Sequence, residues 1–481
     1  MTWRRTPLVL TASLVAAFVA GLPAACARRS RPTPPPPTAW VSTADRARLL
    51  DAQPVHTDPG APADVVIALD TTATFQPIEG FGAALTDASR LVLDRLPPAE
   101  RTALLRDLFS PTDGIGLSVL RVPLGASDFS PIHDSYDDVP PGVHDTTFRW
   151  FRFDRERERV AMLHAIRRVQ PALQLIGAPW SAPAWMKTPA TLIGGTLRDE
   201  AMPWYAEYLA RVVGAFDSAG VRLDYVSVQN EPRHAPTDYP GMRLSAAQRA
   251  TLLGAHVGPM LAERYPYVRL LEWDHNWDAP EEPLAVLQDS AARRAVHGVA
   301  WHCYAGDVSA QSVVHAAHPT VATWFTECAG GAWAPDFGDN LLWNVRTLVI
   351  GATQHWARGV LLWNLALDER HGPHRGGCAD CRGVVTVDAA IGRVTRNAEY
   401  YALAHASRFV RRGAVRIGSA VTRGDTDTFA QVAFRHADGD GSLVVIAANA
   451  APVAQWVRIE GGVRAMRLEM PARSVVTVEQ R

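Results

Sequence analysis

The stretch DYVSVQNEP, residues 224–232, places a glutamate directly after a short apolar run, and VATWFTECAGG, residues 321–331, does the same. In a parallel barrel, a packed strand fixes the side chain that is exposed at its C-terminal tip. Glu231 and Glu327 are therefore predicted to be strand-end carboxylates. Two such tips in one chain predict a carboxylate pair at the mouth of a barrel.

Strand-like apolar runs alternate with amphipathic segments of helical length from residue 79 onward, which is the pattern of a parallel sheet wrapped by helices. The eight candidate strands begin near residues 80, 118, 173, 224, 268, 298, 322 and 359. Eight β-α units in one run predict a closed (β/α)8 TIM barrel over residues 79–410. The alternative is an open doubly wound sheet, but GFGAALTD after the first strand is not the glycine-rich phosphate turn of that fold.

Short alternating runs divided by Gly-Asp turns mark both ends of the folded region, residues 46–78 and 411–481. This alternation is typical of antiparallel strands. We therefore predict an antiparallel β-sandwich that is built from both chain ends and packs beside the barrel.

Residues 1–27 have the pattern of an export signal, with two arginines, an apolar run and small residues that end at Ala27. Cleavage after Ala27, cleavage before a lipidated Cys26 and a permanent signal anchor are the three alternatives. Residues 28–45 contain RPTPPPPT and are predicted to form a stiff linker. The protein is therefore expected to be secreted or periplasmic, or tethered to a membrane at the cell surface through Cys26.

Composition limits the kind of partner. The chain has 481 residues, of which 47% are apolar, so it can bury a large core. Its 48 basic and 49 acidic residues almost cancel, and this balance does not favour nucleic acid or an anionic membrane surface as a partner. The balance of charges therefore favours an uncharged ligand.

The two predicted carboxylates suit one kind of chemistry. Strands four and seven lie on opposite sides of an eight-stranded ring, so Glu231 and Glu327 are expected to face each other. A pair of carboxyl groups, one protonated and one ionised, is the minimal apparatus for cleaving a glycosidic bond. The sequence therefore predicts a glycosidase, and a non-catalytic carbohydrate-binding protein is the alternative from another class. The sequence leaves the separation of the two groups open.

A set of six motifs carries a resemblance to a known family. The motifs are FQPIEGFGAALTDAS at 75–89, LRVPLGASDFS at 120–130, GAPWSAPAWMKT at 177–188, VQNEP at 228–232, FTECAGG at 325–331 and LLWNLALD at 361–368. In this order they resemble glycoside hydrolase family 30, most closely its glucosylceramidase branch, over roughly residues 75–410. The resemblance implies a retaining β-glycosidase without a cofactor that acts on terminal β-glucosides, including glycolipids such as glucosylceramide. β-Xylosidase and β-1,6-glucanase are the alternatives within the family.

The resemblance also implies roles for individual residues. Glu231 is the expected general acid/base and Glu327 the expected nucleophile. Asn230, directly before the acid/base, is expected to hydrogen-bond the sugar 2-hydroxyl. Arg121 and Tyr304 are expected to keep the nucleophile ionised and oriented, because a nearby cation lowers the pKa of a carboxyl group.

The remaining predicted site residues are expected to surround the sugar. Asp128 and Trp180 match positions that contact the hydroxyls of the terminal sugar, and Trp363 is expected to form a wall of the same pocket. His302 is expected at the barrel mouth in a supporting position. Three more aromatic residues are expected there without a specific role, namely Phe129, Trp185 and Trp301.

One loop suggests a different chemistry. Four candidate metal ligands have the spacing H-x2-H-x3-C-x2-C, namely His371, His374, Cys378 and Cys381. Zinc, a disulfide between the two cysteines and a pair of reduced thiols are all compatible with this spacing, whereas the resemblance implies no metal. Cys303 and Cys328 are expected to be small apolar residues behind the site.

Overall fold

The computed structural model describes residues 1–3, 37–57, 60–388, 390–438, 441–462 and 464–480. The elements described below all lie in one compact unit, Pro36–Arg481. Most of the predicted export signal, including Cys26, lies outside the described residues. Within the described parts, no helix is long and apolar enough to cross a membrane.

Eight parallel strands close into a barrel in chain order, and the eighth strand pairs with the first. The barrel strands are Gly80–Ala84, Val119–Leu124, Gln174–Pro179, Tyr225–Ser227, Arg269–Asn276, Val296–His302, Ala322–Glu327 and Ala357–Asn364. They coincide with the eight predicted strands, and the TIM-barrel prediction is confirmed.

Helices cover the outside of the barrel. The α-helices are Asp87–Asp94, Pro98–Phe109, Arg157–Val169, Met202–Ser218, Ala246–Thr251, Gly258–Arg264, Glu281–Gln288, Ser290–Ala295, Ala310–Ala317, Phe337–Trp343, Ala352–Gln354 and Ala398–Ser407. Two further helical segments, Leu252–Val257 and Asn344–Gly351, have π-helical hydrogen bonding. Short 3-10 turns occupy Asp154–Glu156, Ala184–Met186 and Asp199–Ala201.

Alternation along the second barrel strand explains how a charged residue enters the barrel. Leu120 and Val122 pack outward into the core beneath the helices, whereas Val119 belongs to the small cluster inside the barrel. Side chains two residues apart share one face of a strand, so Arg121 points inward with Val119. The guanidinium is fully buried above the inner apolar cluster.

Three barrel strands carry an irregularity at their C-terminal ends. The pairing register skips one residue in strands five, seven and eight, and the inserted residues are Asp274, Thr326 and Trp363. A bulge adds one residue to a strand and re-aims the neighbouring side chains. Asp274 has a φ of 54°, which is rare for a residue other than glycine.

A nine-stranded sheet forms beside the barrel from both chain ends. Its strands are Thr38–Thr43, Leu49–Pro54, Val65–Pro77, Val415–Arg423, Phe429–Arg435, Leu443–Asn449, Gln455–Glu460, Met466–Met470 and Ser474–Gln480. Side chains from eight of these strands enclose a separate apolar core. The predicted sandwich is present, but the prediction of a linker through residue 45 is wrong, because Thr38–Thr43 pairs with both Leu49–Pro54 and Ser474–Gln480.

His405 connects the barrel to the sandwich. It lies on helix Ala398–Ser407 and is fully buried. Nδ1 lies 2.9 Å from the hydroxyl of Thr477, and Nε2 lies 2.9 Å from the hydroxyl of Ser42. Burial lowers the pKa of His405 to about 3, against about 6.5 in an unfolded chain. The unfolded chain therefore binds a proton between these pH values that the folded chain does not bind.

This proton makes the free energy of unfolding fall as the pH is lowered from about 6.5 towards 3, by about 1.4 kcal/mol per pH unit. We predict that His405→Gln lowers the free energy of unfolding at neutral pH by about 1–2 kcal/mol, because an amide can replace only part of the hydrogen bonding. Between pH 6.5 and 4.5 the wild type should lose about 2.8 kcal/mol through His405, whereas glutamine does not titrate, so at pH 4.5 the variant should be at least as stable as wild type. Denaturant unfolding at both pH values measures the difference. His56→Gln, at an exposed position of the sandwich, is the control, and a deficit of constant size would contradict the prediction.

Candidate active site

Glu231 and Glu327 meet at the mouth of the barrel. Their side chains and Nδ1 of His302 each offer an atom to one cluster whose members all lie within 4.8 Å of one another. Both carboxylates line a cavity of about 430 Å³. Retaining glycosidases separate their two carboxyl groups by about 5–5.5 Å, and inverting enzymes by about 6.5–9.5 Å. The close approach of the two side chains fits the retaining class.

Arg121 holds the polar groups of the site together from below. Its Nη1 donates to Oε2 of Glu327 at 2.5 Å. Its Nη2 donates to Oδ2 of Asp274 at 2.8 Å and to Oδ1 of Asn230 at 2.7 Å. Because the amide oxygen of Asn230 accepts from Arg121, the group that Asn230 can offer to a ligand is its NH₂.

Glu327 is held from both sides. The hydroxyl of Tyr304 donates to Oε1 of Glu327 at 2.8 Å, opposite the guanidinium on Oε2. Burial raises the pKa of Glu327, the cations of His302 and Arg121 lower it, and the negative charge of Glu231 raises it again. The net direction is upward. Two ionised carboxylates at this separation repel each other, so the pair retains one proton more readily than either group alone would.

His302 bridges the second carboxylate to the fifth strand. Its Nδ1 lies 3.0 Å from Oε1 of Glu231, and its Nε2 lies 3.1 Å from Oδ1 of Asp274. Burial lowers the pKa of His302, but the charge of Glu327 and the hydrogen bonds to Asp274 and Glu231 outweigh burial and raise this pKa to about 9. His302 is therefore an imidazolium at neutral pH.

The contact with His302 also lowers the pKa of Glu231. Burial raises the pKa of Glu231, but the hydrogen bond and the charge of His302 outweigh burial and bring the pKa to about 2. Glu231 also has a φ of 48°, and its backbone N–H donates to the carbonyl of Asp274 at 3.0 Å. Such backbone strain in a residue other than glycine is concentrated at functional sites.

Two tryptophans form an aromatic wall. The rings of Trp180 and Trp363 are stacked with centroids 5.2 Å apart, and the guanidinium of Arg121 lies 4.9 Å from the Trp180 ring. Both tryptophans line the cavity that holds the carboxylates. Phe129 supports this wall from behind, edge-on to Trp363 at 6.1 Å.

Asp128 lies in the same cavity beneath the loop that follows the eighth strand. Gly377 in this loop has a φ of 64°, and a Cβ at this position would lie 2.5 Å from Cβ of Asp128, so only glycine permits the approach. Burial and the charge of Glu327 raise the pKa of Asp128 to about 8, although a hydrogen bond from the backbone of Cys378 lowers it. Asp128 is thus a protonated acid at neutral pH that can both donate and accept.

Both cysteine pairs form disulfides. Cys378 is bonded to Cys381, so their sulfurs are not available to zinc, and the disulfide alternative for this loop is the correct one. Cys303 is bonded to Cys328, so the expectation that these two residues serve only as small apolar residues behind the site is wrong. This second disulfide ties the residue after strand six to the residue after strand seven, directly beside Tyr304 and Glu327.

The structure thus brings all nine predicted site residues to one end of the barrel, but sequence reasoning missed Asp274. It accepts hydrogen bonds from Arg121 and from Thr326, the latter at 2.7 Å. A signal was present, since Asp274 follows the apolar run of the fifth strand just as the two glutamates follow theirs. Trp185 and Trp301 are buried and do not line the cavity, contrary to expectation.

The cluster of Glu231, His302 and Glu327 also has the donor atoms and spacing to ligate one cation. Two features oppose such a role. His302 directs both ring nitrogens at carboxylates, and a neutral ring is needed for ligation. The guanidinium of Arg121 already supplies positive charge to Glu327.

A TIM barrel with two carboxyl groups at this separation defines the class of glycoside hydrolases. Comparison with known families identifies the particular one. The glycosyl hydrolase family 30 TIM-barrel domain matches residues 78–410, and the glycosyl hydrolase family 30 beta sandwich domain matches residues 413–478. The chain belongs to glycosyl hydrolase family 30.

The chain is more similar to some members of this family than to others. The chain is 36% identical over 434 residues to an endo-1,6-beta-D-glucanase of Neurospora crassa, covering 86% of this chain and 88% of the relative. Identity to the lysosomal acid glucosylceramidase of Mus musculus is 27%, covering 79% and 77%. The solved structure of an endo-β1,6-glucanase superimposes with a TM-score of 0.85 at 27% identity, covering 92% of this chain and 98% of that one. The expected glucosylceramidase branch is thus less similar than the glucanases.

We predict that the imidazole of His302 keeps its proton until about pH 9, since Asp274 and the glutamates stabilise the cation. Titration of histidine side chains labelled with carbon-13, followed by NMR, measures the midpoint, and the loss of one signal in His302→Gln assigns it. Asp274→Asn should move the midpoint to lower pH, because the variant removes a carboxylate partner. A midpoint near the ordinary value of about 6.5 would contradict the prediction.

Proposed function

We propose that the protein is a retaining endo-β-1,6-glucanase. The observation that carries the reaction class is the approach of the two carboxylates to within 4.8 Å across one cavity. The greater similarity to endo-1,6-β-glucanases supports the substrate class. Hydrolysis of terminal β-glucosides, glucosylceramide included, is the second candidate because of the glucosylceramidase relative.

Glu327 is the proposed nucleophile. Its carboxylate attacks the anomeric carbon, the glycosidic C–O bond breaks, and a glycosyl ester forms on Glu327. The guanidinium of Arg121 and the hydroxyl of Tyr304 each donate a hydrogen bond to the carboxylate and hold it in one orientation for this attack. Positioning of this kind removes much of the entropic cost of the reaction.

Glu231 is the proposed general acid and then general base. In the first step it gives a proton to the leaving oxygen, and in the second step it takes a proton from the water that hydrolyses the ester. Glycosyl transfer requires Glu231 protonated and Glu327 ionised. Nδ1 of His302 lies 3.0 Å from Glu231, within hydrogen-bonding distance, so the imidazolium is placed to supply a proton to Glu231.

Four residues are proposed to bind the sugar in this cavity. Asn230 offers its NH₂ next to the acid/base, where a hydrogen bond to the 2-hydroxyl strengthens in the transition state. Asp128 can pair with hydroxyls, and a sugar that lacks them would leave a buried acid unsatisfied. Trp180 and Trp363 supply the aromatic wall on which the C–H face of a sugar packs.

Incubation of the enzyme with linear β-1,6-glucan tests the proposal. An endo-enzyme releases oligosaccharides of mixed length early in the reaction, whereas an exo-enzyme releases only glucose. Proton NMR of the new reducing ends should show the β-anomer first, as retention requires. We predict that Glu327→Gln reduces turnover to below about a thousandth of wild type, because the nucleophile is lost. Glucose as the sole early product would refute the endo-mode of cleavage. Normal turnover in Glu327→Gln would refute the assignment of Glu327 as nucleophile.

Glu231→Gln tests the acid/base role separately. We predict a loss of about 10²- to 10⁴-fold on glucan, because the leaving group no longer receives a proton. An aryl β-glucoside with an acidic phenol needs no such proton, so its glycosyl ester should still form, and azide should then release it as a glycosyl azide. Azide should have no effect on Glu327→Gln, which serves as the matched control. Failure of azide to raise turnover in Glu231→Gln would argue against the role.

A further inference from the structure

Two further cavities continue from the one that holds the carboxylates. The neighbouring cavity has a volume of about 390 Å³ and shares Tyr304, Ala329 and Trp333 with the first. A third cavity of about 620 Å³ shares Asp339 and Trp343 with the second. These three adjacent cavities, which share lining residues, are here called the extended groove, and they reach from the catalytic carboxylates to the junction with the sandwich.

The groove presents aromatic rings to solvent. Trp333 is 56% exposed and Trp343 is 45% exposed, which is unusual for the largest apolar side chain. In the part of the chain that the structure describes, neither ring stacks on another aromatic ring or on an arginine. Gly331 fixes the first ring, since a Cβ at this glycine would lie 1.9 Å from Trp333. The ring of Trp333 therefore packs against the backbone of Gly331, and about half of the side chain stays exposed.

Two consecutive helical segments form one wall of the extended groove. Helix Phe337–Trp343 and the π-helical segment after it turn one face towards the two outer cavities. The lining residues on this face are Asp339, Asn340, Trp343, Asn344, Arg346 and Thr347. Spacings of three and four place side chains on one helical face. The groove is therefore lined by charged groups, one indole and the apolar side chain of Leu342, whereas the amides of Asn340 and Asn344 donate to nearby backbone carbonyls.

The charges along this wall balance. Asp339 accepts from Nη2 of Arg473 at 2.5 Å, and Arg346 donates to the backbone carbonyl of Asp427 at 2.5 Å. The outer cavity holds two aspartates and two arginines, so its net charge is close to zero. Such a surface suits an uncharged ligand rich in hydroxyl groups, and it does not suit a phosphorylated or acidic one.

We propose that the extended groove binds the part of a β-1,6-glucan chain that continues beyond the sugars at the cleavage point, with Trp343 as its principal stacking platform. This inference rests on the proposed function. Continuity with the catalytic cavity supplies the reason for a glucan as occupant, because a polymer held at the carboxylates has to leave the site along the surface.

The dependence of kcat/KM on chain length tests the proposal. Wild type should cleave a β-1,6-linked hexasaccharide at least about tenfold more efficiently than the trisaccharide, since the longer chain gains a stacking contact. In Trp343→Ala the ratio of the two kcat/KM values should fall to near one. Trp343→Tyr should restore most of the ratio, because it keeps an aromatic face. Trp150→Ala, which removes an equally exposed indole outside the groove, should keep the wild-type ratio.

The outcomes separate this inference from the proposed function. If wild type does not cleave β-1,6-glucan oligosaccharides, the proposed function fails. If wild type cleaves them but shows no preference for longer chains, or if Trp343→Ala keeps the preference, only the extended groove is refuted. If Trp343→Ala lowers kcat/KM for an octyl β-glucoside as much as it lowers kcat/KM for the hexasaccharide, the proposal that the groove binds glucan is overturned.

Discussion

One buried cation organises the active site. Arg121 is fully buried, yet its guanidinium contacts Glu327, Asp274 and Asn230. An isolated arginine in an apolar barrel would be highly unfavourable, and so would a cluster of buried carboxylates without a cation. The residues thus depend on one another, and His302 extends the network by linking Asp274 to Glu231. The geometry of the carboxylate pair is a consequence of this charge network.

Irregular strand ends make the network fit into a regular barrel. Alternation in a straight strand directs side chains strictly in or out, whereas the site needs several neighbouring polar groups to converge. Bulges at Asp274, Thr326 and Trp363 provide the extra residues. Asp274 reaches Arg121 and His302, Thr326 donates to Asp274, and Trp363 completes the aromatic wall.

Sequence reasoning was sufficient for the regular part of the molecule. Apolar runs of strand length predicted all eight barrel strands, and two strand-end glutamates predicted the pair. Disulfides have no periodic signal, so the bond between Cys303 and Cys328 was missed. Asp274 follows an apolar run as the two glutamates do, but the bulge that turns it towards Arg121 has no periodic signal. The strand Thr38–Thr43 was also missed, because it directly follows the proline run that predicted a linker and because one of its two partners, Ser474–Gln480, is distant in sequence.

Our proposals place the choice of substrate in a different part of the structure from the chemistry. The catalytic network sits at strand ends, and the motifs that resembled the glucosylceramidase branch are the sequences of these strand ends. The groove beyond it is made by loops and one helix, which carry Trp333 and Trp343. Loops vary more readily than packed strands. Motifs drawn from strand ends therefore identify the family, but they carry no information about the loops and the helix face, to which our proposal assigns the choice of substrate.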